Sequence, residues 1–248
     1  MFNLFKKSNL ESVVKFRPIL QSGYEFDKSK FINLLSASLG RAMAIQTAAS
    51  DIVVKGQDWN IDFEIGLIKF GSDTYKFSFL GSESEYSNTW MWGFNNINGF
   101  DESLLEVAKN AKSKGKIWGL DELVTEQFEL TDAINGHTLA TVACGLSEQN
   151  LFYYRCPYDG GAAFVAVLDA PESVFASLAN AHKVAEILTG CIERFELEHK
   201  ILIESFLASN GTPYEWDGDV LVAHFDQDMK VEFERVGEIY HVKALKIS

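Results

Sequence analysis

Residues 59–94 read WNIDFEIGLIKFGSDTYKFSFLGSESEYSNTWMWGF, and large apolar side chains alternate with polar ones through most of this stretch. Alternation with a period of two is typical of a β-strand that buries one face. The pattern is interrupted at Gly66, at 71–73 and at 85–88 by residue types that favour turns. The stretch therefore predicts an antiparallel meander of four strands, at 59–65, 66–70, 75–83 and 89–94.

Helical patterns flank this meander. Apolar residues recur at three- and four-residue steps from Lys28 to Ile52, and Asp27 or Ser29 is a suitable N-cap for that helix. Later helices are expected at 101–115, at about 133–148, and at 171–209 with a break near Gly190.

Strands are also expected in the second half of the chain. LFYYRC (151–156) and AAFVAVL (162–168) flank a turn sequence, and the second is apolar throughout, as in a strand covered on both faces. A brief strand is expected at 128–132, and C-terminal hairpins at 216–225, 230–236 and 239–245. The expected fold class is therefore α+β, with an antiparallel β-meander sheet packed against several helices and followed by C-terminal β-hairpins.

The domain organisation expected from composition is simple. No stretch has the Pro- and Ser-rich look of a linker, so residues 28–248 are expected to form a single α+β domain after an N-terminal extension at 1–27. A helix, a Trp and two alternating strands occur at 30–84 and again at 191–236. This echo raises the hypothesis of an α-β-β duplication, whose two units could share one sheet or form two.

The net charge indicates which kinds of partner to expect, and the cysteines indicate the cellular compartment. The chain carries 22 basic and 35 acidic side chains, a net charge of −13. Such a surface repels polyanions, so nucleic acid is not an expected partner and a basic protein is favoured. The longest apolar run, Ala162–Leu168, is too short to span a membrane, and the start of the chain lacks a signal-peptide pattern. Three cysteines without a CxxC pair suit free thiols, and a cytoplasmic location is the expectation.

Motifs for common chemistry are missing from the sequence. It contains no phosphate-binding glycine loop, no dinucleotide fingerprint, no G-x-S-x-G and no H-E-x-x-H. The five histidines are scattered, and the Asp pairs 217/219 and 226/228 lack calcium-loop spacing. Because side chains alternate along a strand, Arg155 is expected to face away from Cys156 and to leave that thiol unactivated. We assign no catalytic residue, cofactor or metal from the sequence.

Two segments combine aromatic rings with polar groups at the point where a strand ends, and such places commonly carry binding residues. The alternative is that the rings belong to the core and the polar groups satisfy turn backbone. The candidate ligand- or partner-binding residues are Trp90, Trp92 and Asn95 in the first segment, and Tyr153, Arg155, Tyr158 and Asp159 in the second.

Three stretches occur in a recognisable order, namely WNIDFEIGLIKF (59–70), LGSESEYSNTWMWGFNN (80–96) and YYRCPYDGG (153–161). Together they resemble the DUF6882 domain family of uncharacterised bacterial proteins, with Trp90, Trp92 and Asn95 at motif positions. The resemblance covers about 28–200 and leaves the C-terminal helix end and hairpins at 201–248 outside. Phe94 and Cys156 depart from the family pattern, since a third Trp and a small residue are expected there. The resemblance implies a bacterial origin and assigns no activity.

Two hypotheses for function follow, and the sequence does not decide whether the protein is an enzyme. In the first, it is a bacterial cytoplasmic protein that acts as a non-enzymatic binding or accessory protein. In the alternative, it is a small-ligand receptor or enzyme with a pocket between the WxW strand end and the YYRCPYDGG turn, where Arg155 holds an anionic group. The partner is then an unknown small molecule. Edge strands of the C-terminal hairpins leave monomer and homodimer both open.

Overall fold

The computed structural model describes residues 13–237 and 239–248. The helices are α1 Phe31–Ala49, α2 Glu106–Trp118, α3 Asp121–Val124, α4 Gly136–Gly145, α5 Ala181–Arg194 and α6 His199–Asn210. The strands are β1 Trp59–Asp62, β2 Leu67–Phe70, β3 Asp73–Ser84, β4 Thr89–Trp92, β5 Gln127–Glu129, β6 Phe152–Tyr158, β7 Gly161–Val167, β8 Tyr214–Asp217, β9 Val220–His224, β10 Asp228–Val236 and β11 Ile239–Ile247. The first twelve residues of the expected N-terminal extension lie outside the described residues.

The predicted meander is confirmed as β1 to β4, and it forms part of a seven-stranded antiparallel sheet. The long strand β3 organises this sheet. Its first four residues pair with β2, and its last four pair with β4. From Phe77 to Ser84 it also pairs with β7. β5 extends the sheet beyond β4, and β6 extends it beyond β7. β7 is therefore central, as its continuous apolar sequence predicts.

The C-terminal strands β8 to β11 form a separate four-stranded antiparallel sheet. The two α-β-β patterns in the sequence therefore belong to two sheets rather than one. Helices and antiparallel sheets together confirm the α+β class. Buried apolar residues from both sheets and from the helices form one continuous cluster, to which Phe16 also contributes.

Several predicted boundaries are wrong, each for a local reason. Asp27 does not cap α1, because its carboxylate accepts hydrogen bonds from the backbone and hydroxyl of Ser29 instead. The helix expected to stop at Gly115 continues to Trp118, and Gly119 ends it in the left-handed conformation that favours glycine. The helix expected to break near Gly190 passes through that glycine and ends at Arg194.

The predicted strand 216–225 is likewise wrong, because a turn divides it into β8 and β9. Gly218 has a φ of +62° in that turn, between two aspartates. A run of alternating residues can hide a hairpin when the turn residues keep the alternation, since Asp217 and Asp219 occupy polar positions on either side of Gly218.

Helix α6 holds the C-terminal sheet to the rest of the molecule through the edge strand β11. The Glu198 carboxylate accepts a hydrogen bond of 2.9 Å from the backbone N–H of Tyr240, and His199 Nδ1 accepts one of 3.0 Å from the N–H of Val242. Two outward amides of an edge strand are thereby covered, which reduces its tendency to pair with another chain. The imidazole of His241 lies 4.6 Å from that of His199.

Acidification is expected to weaken this attachment. Burial, and secondarily the neighbouring His241, lower the pKa of His199 below its ordinary value of 6.5. The folded protein then binds fewer protons than the unfolded chain, so the free energy of unfolding falls as the pH drops below about 6.5. His199→Asn, whose amide oxygen replaces Nδ1 as an acceptor, should flatten this dependence in chemical-denaturation curves between about pH 5 and 7.5. The same substitution at the exposed His182 is the control for replacing a histidine outside this contact.

Candidate functional site

Trp90 and Trp92 of β4 lie in the core rather than at a surface. Both indoles are almost fully buried, and they meet edge to face with ring centroids 5.3 Å apart. The indole N–H of Trp92 donates to the backbone carbonyl of Glu122 at 2.9 Å, whereas the indole nitrogen of Trp90 has no hydrogen-bond partner among the described residues. These two side chains therefore support the fold, and a ligand from solvent does not reach their faces.

Phe94 and the asparagines after it close this strand. The Phe94 ring stacks on Trp92 at 5.6 Å, and Lys112 Nζ lies 4.1 Å from the Phe94 centroid. Asn95 is half-buried in the single helical turn that follows β4. Its neighbour Asn96 fixes the next turn, with a φ of +49° and a pair of hydrogen bonds to the backbone of Phe100. Asn96 is thus the asparagine that shapes this strand end.

The β6–β7 hairpin carries the second group of predicted residues. Gly160, with a φ of +79°, completes its two-residue turn after the exposed Asp159. Tyr158 is exposed, and its hydroxyl donates to the backbone carbonyl of Glu83 at 3.3 Å. Both side chains are therefore available to a partner at the tip of the hairpin.

Arg155 is held by two carboxylates of β3 and the following turn. Its Nε and one terminal nitrogen each lie 2.8 Å from a Glu83 oxygen, and the same terminal nitrogen lies 3.4 Å from Glu85. Glu83 is the more buried of the two acids. The guanidinium is therefore neutralised within the protein, and the three side chains together carry one net negative charge.

A chain of rings connects the two predicted segments beneath this surface. The Phe164 ring lies 5.5 Å from Trp90, 6.1 Å from Tyr153 and 5.3 Å from His137. The hydroxyl of Tyr153 and Nδ1 of His137 are 3.0 Å apart. Trp90 and Trp92 thus lie in the interior beneath Tyr153 and do not share a surface with it.

Gly136, the first residue of α4, allows this close packing. A Cβ there would come within 2.5 Å of the Phe164 ring and 2.7 Å of a Glu83 carboxylate oxygen. Neither Glu83 nor His137 is among the site residues predicted from the sequence. Glu83 could be found only from the register that places it opposite Trp90.

Within the described residues, strand β6 pairs with β7 alone and is therefore an edge strand. The side-chain amide of Gln46 donates to the carbonyl of Tyr153 at 3.0 Å, which shows that the backbone groups of Tyr153 point away from β7. Because these directions alternate along an antiparallel strand, the backbone groups of Arg155 and the carbonyl of Pro157 point the same way. No strand among residues 13–237 and 239–248 pairs with this side of Arg155, so its outward backbone groups are available to an added strand.

An open groove of about 370 Å³ runs beside this edge, and we call it the β6 groove. The end of α1 and Trp59 of β1 form its opposite side. The Trp59 ring meets Tyr154 edge to face at 5.9 Å. The lining residues are Gln46, Ala49, Ser50, Val54, Trp59, His137, Phe152, Tyr153, Tyr154, Arg155 and Pro157.

Burial is the main cause of the pKa shifts of His137 and Tyr153, which both line the groove. Burial lowers the pKa of His137, the positive charge of Arg155 lowers it further, and Glu83 opposes both. The imidazole is therefore neutral near pH 7, where its Nδ1 is paired with the Tyr153 hydroxyl. Burial also raises the pKa of Tyr153.

The three cysteines, Cys144, Cys156 and Cys191, are free and buried. Burial raises the pKa of each thiol to about 12, so all three are protonated at neutral pH and are poor nucleophiles. Among residues 13–237 and 239–248, no three His, Cys, Asp or Glu side chains are grouped as metal ligands. No helix in the same residues is both long and apolar enough to cross a bilayer.

Comparison with known proteins gives one match. No curated protein and no solved structure matches the chain. Residues 32–171 match the family of unknown function DUF6882, and this span includes β1 to β7, α2 to α4 and nearly all of α1. Both predicted segments and the β6 groove lie inside it. Since the match extends over more than half of the sequence, the protein belongs to the DUF6882 family.

Proposed function

We propose that the protein is a non-enzymatic binding protein that holds a basic, extended polypeptide segment in the β6 groove. The observation that carries this proposal is the free edge of β6 beside a groove lined with aromatic rings. An added strand can pair with the open backbone at Arg155 while its alternate side chains enter the groove. Pro157 and the bond from Gln46 to Tyr153 limit the pairing to a short stretch.

Charge favours a basic occupant over an acidic one. Glu83 and Glu85 outnumber Arg155 at this surface, and His137 is neutral. The net charge of −13 attracts a basic partner at long range and speeds encounter. Once bound, a Lys or Arg side chain can lie against the faces of Trp59 and Tyr154.

The predicted site residues take different parts in this proposal. Tyr153 and Arg155 line the groove, and Tyr158 and Asp159 lie at the hairpin tip beyond Pro157. Trp90 and Trp92 act from behind by fixing Phe164 and the strand pairing, with Asn95 in the adjoining turn. The protonated thiols and the paired His137 support a binding role over a catalytic one.

A bacterial cytoplasmic location is part of the same proposal. The support for the compartment is three buried cysteines without a disulfide, which suits a reducing environment. Fractionation of cells that express the natural protein tests this, and recovery in an oxidising compartment contradicts it.

Binding can be tested with two labelled synthetic peptides, one in which Lys alternates with Thr and one in which Glu replaces Lys. The full chain should bind the basic peptide in a fluorescence anisotropy titration, more weakly as salt is added, and should not bind the acidic one. Ser50→Trp places a large ring in the groove from the exposed end of α1 and should abolish binding without unfolding the protein.

Two exposed carboxylates, of which only one contacts Arg155, test how much charge contributes to binding of the basic peptide. Glu85 and Glu172 each form one surface ion pair, with Arg155 and Lys15 respectively, and of these two partners only Arg155 lines the groove. Glu85→Gln should weaken binding about twofold to fivefold, and Glu172→Gln should leave it unchanged. Undiminished binding to Ser50→Trp, or equal binding of both peptides, would overturn the proposal.

A further inference from the structure

A cavity of about 820 Å³ lies where four chain segments meet, and it shares no lining residue with the β6 groove. The segments are the start of α1, the link from α2 into α3, the loop before α4, and the link from α5 to α6. The volume falls in the range of about 300–1,000 Å³ that is usual for small-molecule sites. Because the segments are far apart in the sequence, no local pattern predicts the cavity.

Apolar side chains form much of its lining. Phe31, Leu35 and Leu120 are buried, while Ile32, Ile134 and Phe195 keep part of their surface exposed. Surface of this kind holds the hydrocarbon or aromatic part of a ligand, because the contact releases water from both partners.

The wall formed by α3 is held in place by the tryptophan strand. The bond from Trp92 Nε1 to the carbonyl of Glu122 ties β4 to this helix. Gly115 of α2 allows α3 to approach, since a Cβ at that position would lie 2.5 Å from the Leu123 Cβ. The cavity is thus bounded by rigid elements and not by loops alone.

Charged groups of both signs line the cavity without pairing to each other. Lys30 and Arg194 come from α1 and from the end of α5, whereas Asp121, Glu122 and Asp132 come from α3 and the loop before α4. Glu196 adds a further carboxylate beside Arg194. None of these six side chains takes part in an ion pair within the described residues. Five of the six are exposed and Glu122 is partly buried, so they are available to a ligand.

We infer that this cavity binds an apolar zwitterion, that is, an apolar amino acid or a short apolar peptide with a free ammonium and a free carboxylate group. A ligand that carried only a negative charge would face four carboxylates, and a purely cationic one would meet Lys30 and Arg194. An uncharged ligand would leave all six charged groups without an ionic partner. A zwitterion directs its carboxylate to Lys30 and Arg194 and its ammonium to the acidic side, with its apolar part on the lining.

Isothermal titration calorimetry with the full chain tests this inference. The probes are leucine, Leu-Leu and Leu-Leu-Leu, together with N-acetyl-Leu-Leu and Leu-Leu amide, which each lack one charge. At least one of the unblocked probes should bind. Tightest binding of leucine would indicate a free amino acid as the ligand, and tightest binding of Leu-Leu or Leu-Leu-Leu would indicate a peptide. Blocking either end should weaken Leu-Leu about tenfold or more, because a charged hydrogen bond is lost in each case.

Substitutions locate the site. Ala133→Trp fills the cavity from an exposed loop position and should remove the binding heat, with circular dichroism as the check on folding. Arg194→Gln should weaken Leu-Leu about fivefold to tenfold and leave Leu-Leu amide nearly unchanged. Lys183→Gln, on the same helix but outside the cavity, is the matched control and should have no effect. Three results overturn the inference: no unblocked probe binds at millimolar concentration, blocked and free peptides bind equally, or folded Ala133→Trp retains full affinity.

Discussion

Trp92→Ala is expected to lower the free energy of unfolding by about 3–5 kcal/mol, one of the two largest effects of a single substitution that we predict. The substitution removes a ring that is 1% exposed and that packs against both Trp90 and Phe94. It also leaves the carbonyl of Glu122 without its indole donor, in a partly buried position. Urea or guanidinium unfolding, followed by far-ultraviolet circular dichroism, measures the loss.

Two milder variants separate packing from hydrogen bonding. Trp92→Phe and Trp90→Phe remove the same atoms from two almost fully buried sites, but among residues 13–237 and 239–248 only the Trp92 indole N–H has a partner. Trp92→Phe should therefore cost about 1 kcal/mol more than Trp90→Phe. Equal losses for the two buried sites would contradict any contribution from the bond to Glu122.

Gly81→Ala is expected to cost about 1–3 kcal/mol or more, because a methyl group has no room at this position. An added Cβ would overlap the fully buried Trp90 ring and would lie 2.5 Å from the backbone carbonyl of Met91. Neither neighbour can move without disturbing the pairing of β3 with β4, where Gly81 lies opposite Trp92. The measurement is the denaturation midpoint at a constant m-value.

Gly190 is the matched control for this effect. It lies inside α5, and a Cβ there meets nothing within 4 Å. Gly190→Ala should raise stability by about 0.5–1 kcal/mol, because alanine loses less conformational freedom in a helix. A destabilised Gly190→Ala together with an unaffected Gly81→Ala would show that the close approach of Trp90 does not require the glycine.

The fold class was predictable because alternation and helical periodicity are local properties. The meander, the apolar central strand β7 and the hairpin at 158–161 all follow from residue types within short windows. The misplaced boundaries depend on tertiary contacts. Gly190 does not break α5 because packing of the apolar face outweighs its low helix propensity, and Asp27 fails as a cap because Ser29 competes for it.

Less of the candidate site could be predicted from the sequence. Alternation along β6 correctly separates Arg155 from Cys156, and the three buried thiols agree with the odd cysteine count. The exposure of an aromatic residue cannot be predicted from its type, however, and Trp90 and Trp92 are core residues although they end a strand. Glu83, Gln46 and His137 come to the groove from three separate elements, and only the strand register and the packing of α1 and α4 bring them together.

The burial of α1 has a consequence for biosynthesis. Much of its surface is covered by α4, α5 and α6, and Ser36 and Ala37 on this helix bond to partners 162 and 168 residues later in the chain. At a translation rate of about 5–20 residues per second, α1 leaves the ribosome roughly 10–30 s before α6 exists. During that interval a largely apolar helix has no partner on the side that α6 later covers. We therefore expect ribosome-bound chains that stop before α6 to recruit chaperones, and release of the complete chain to end that dependence.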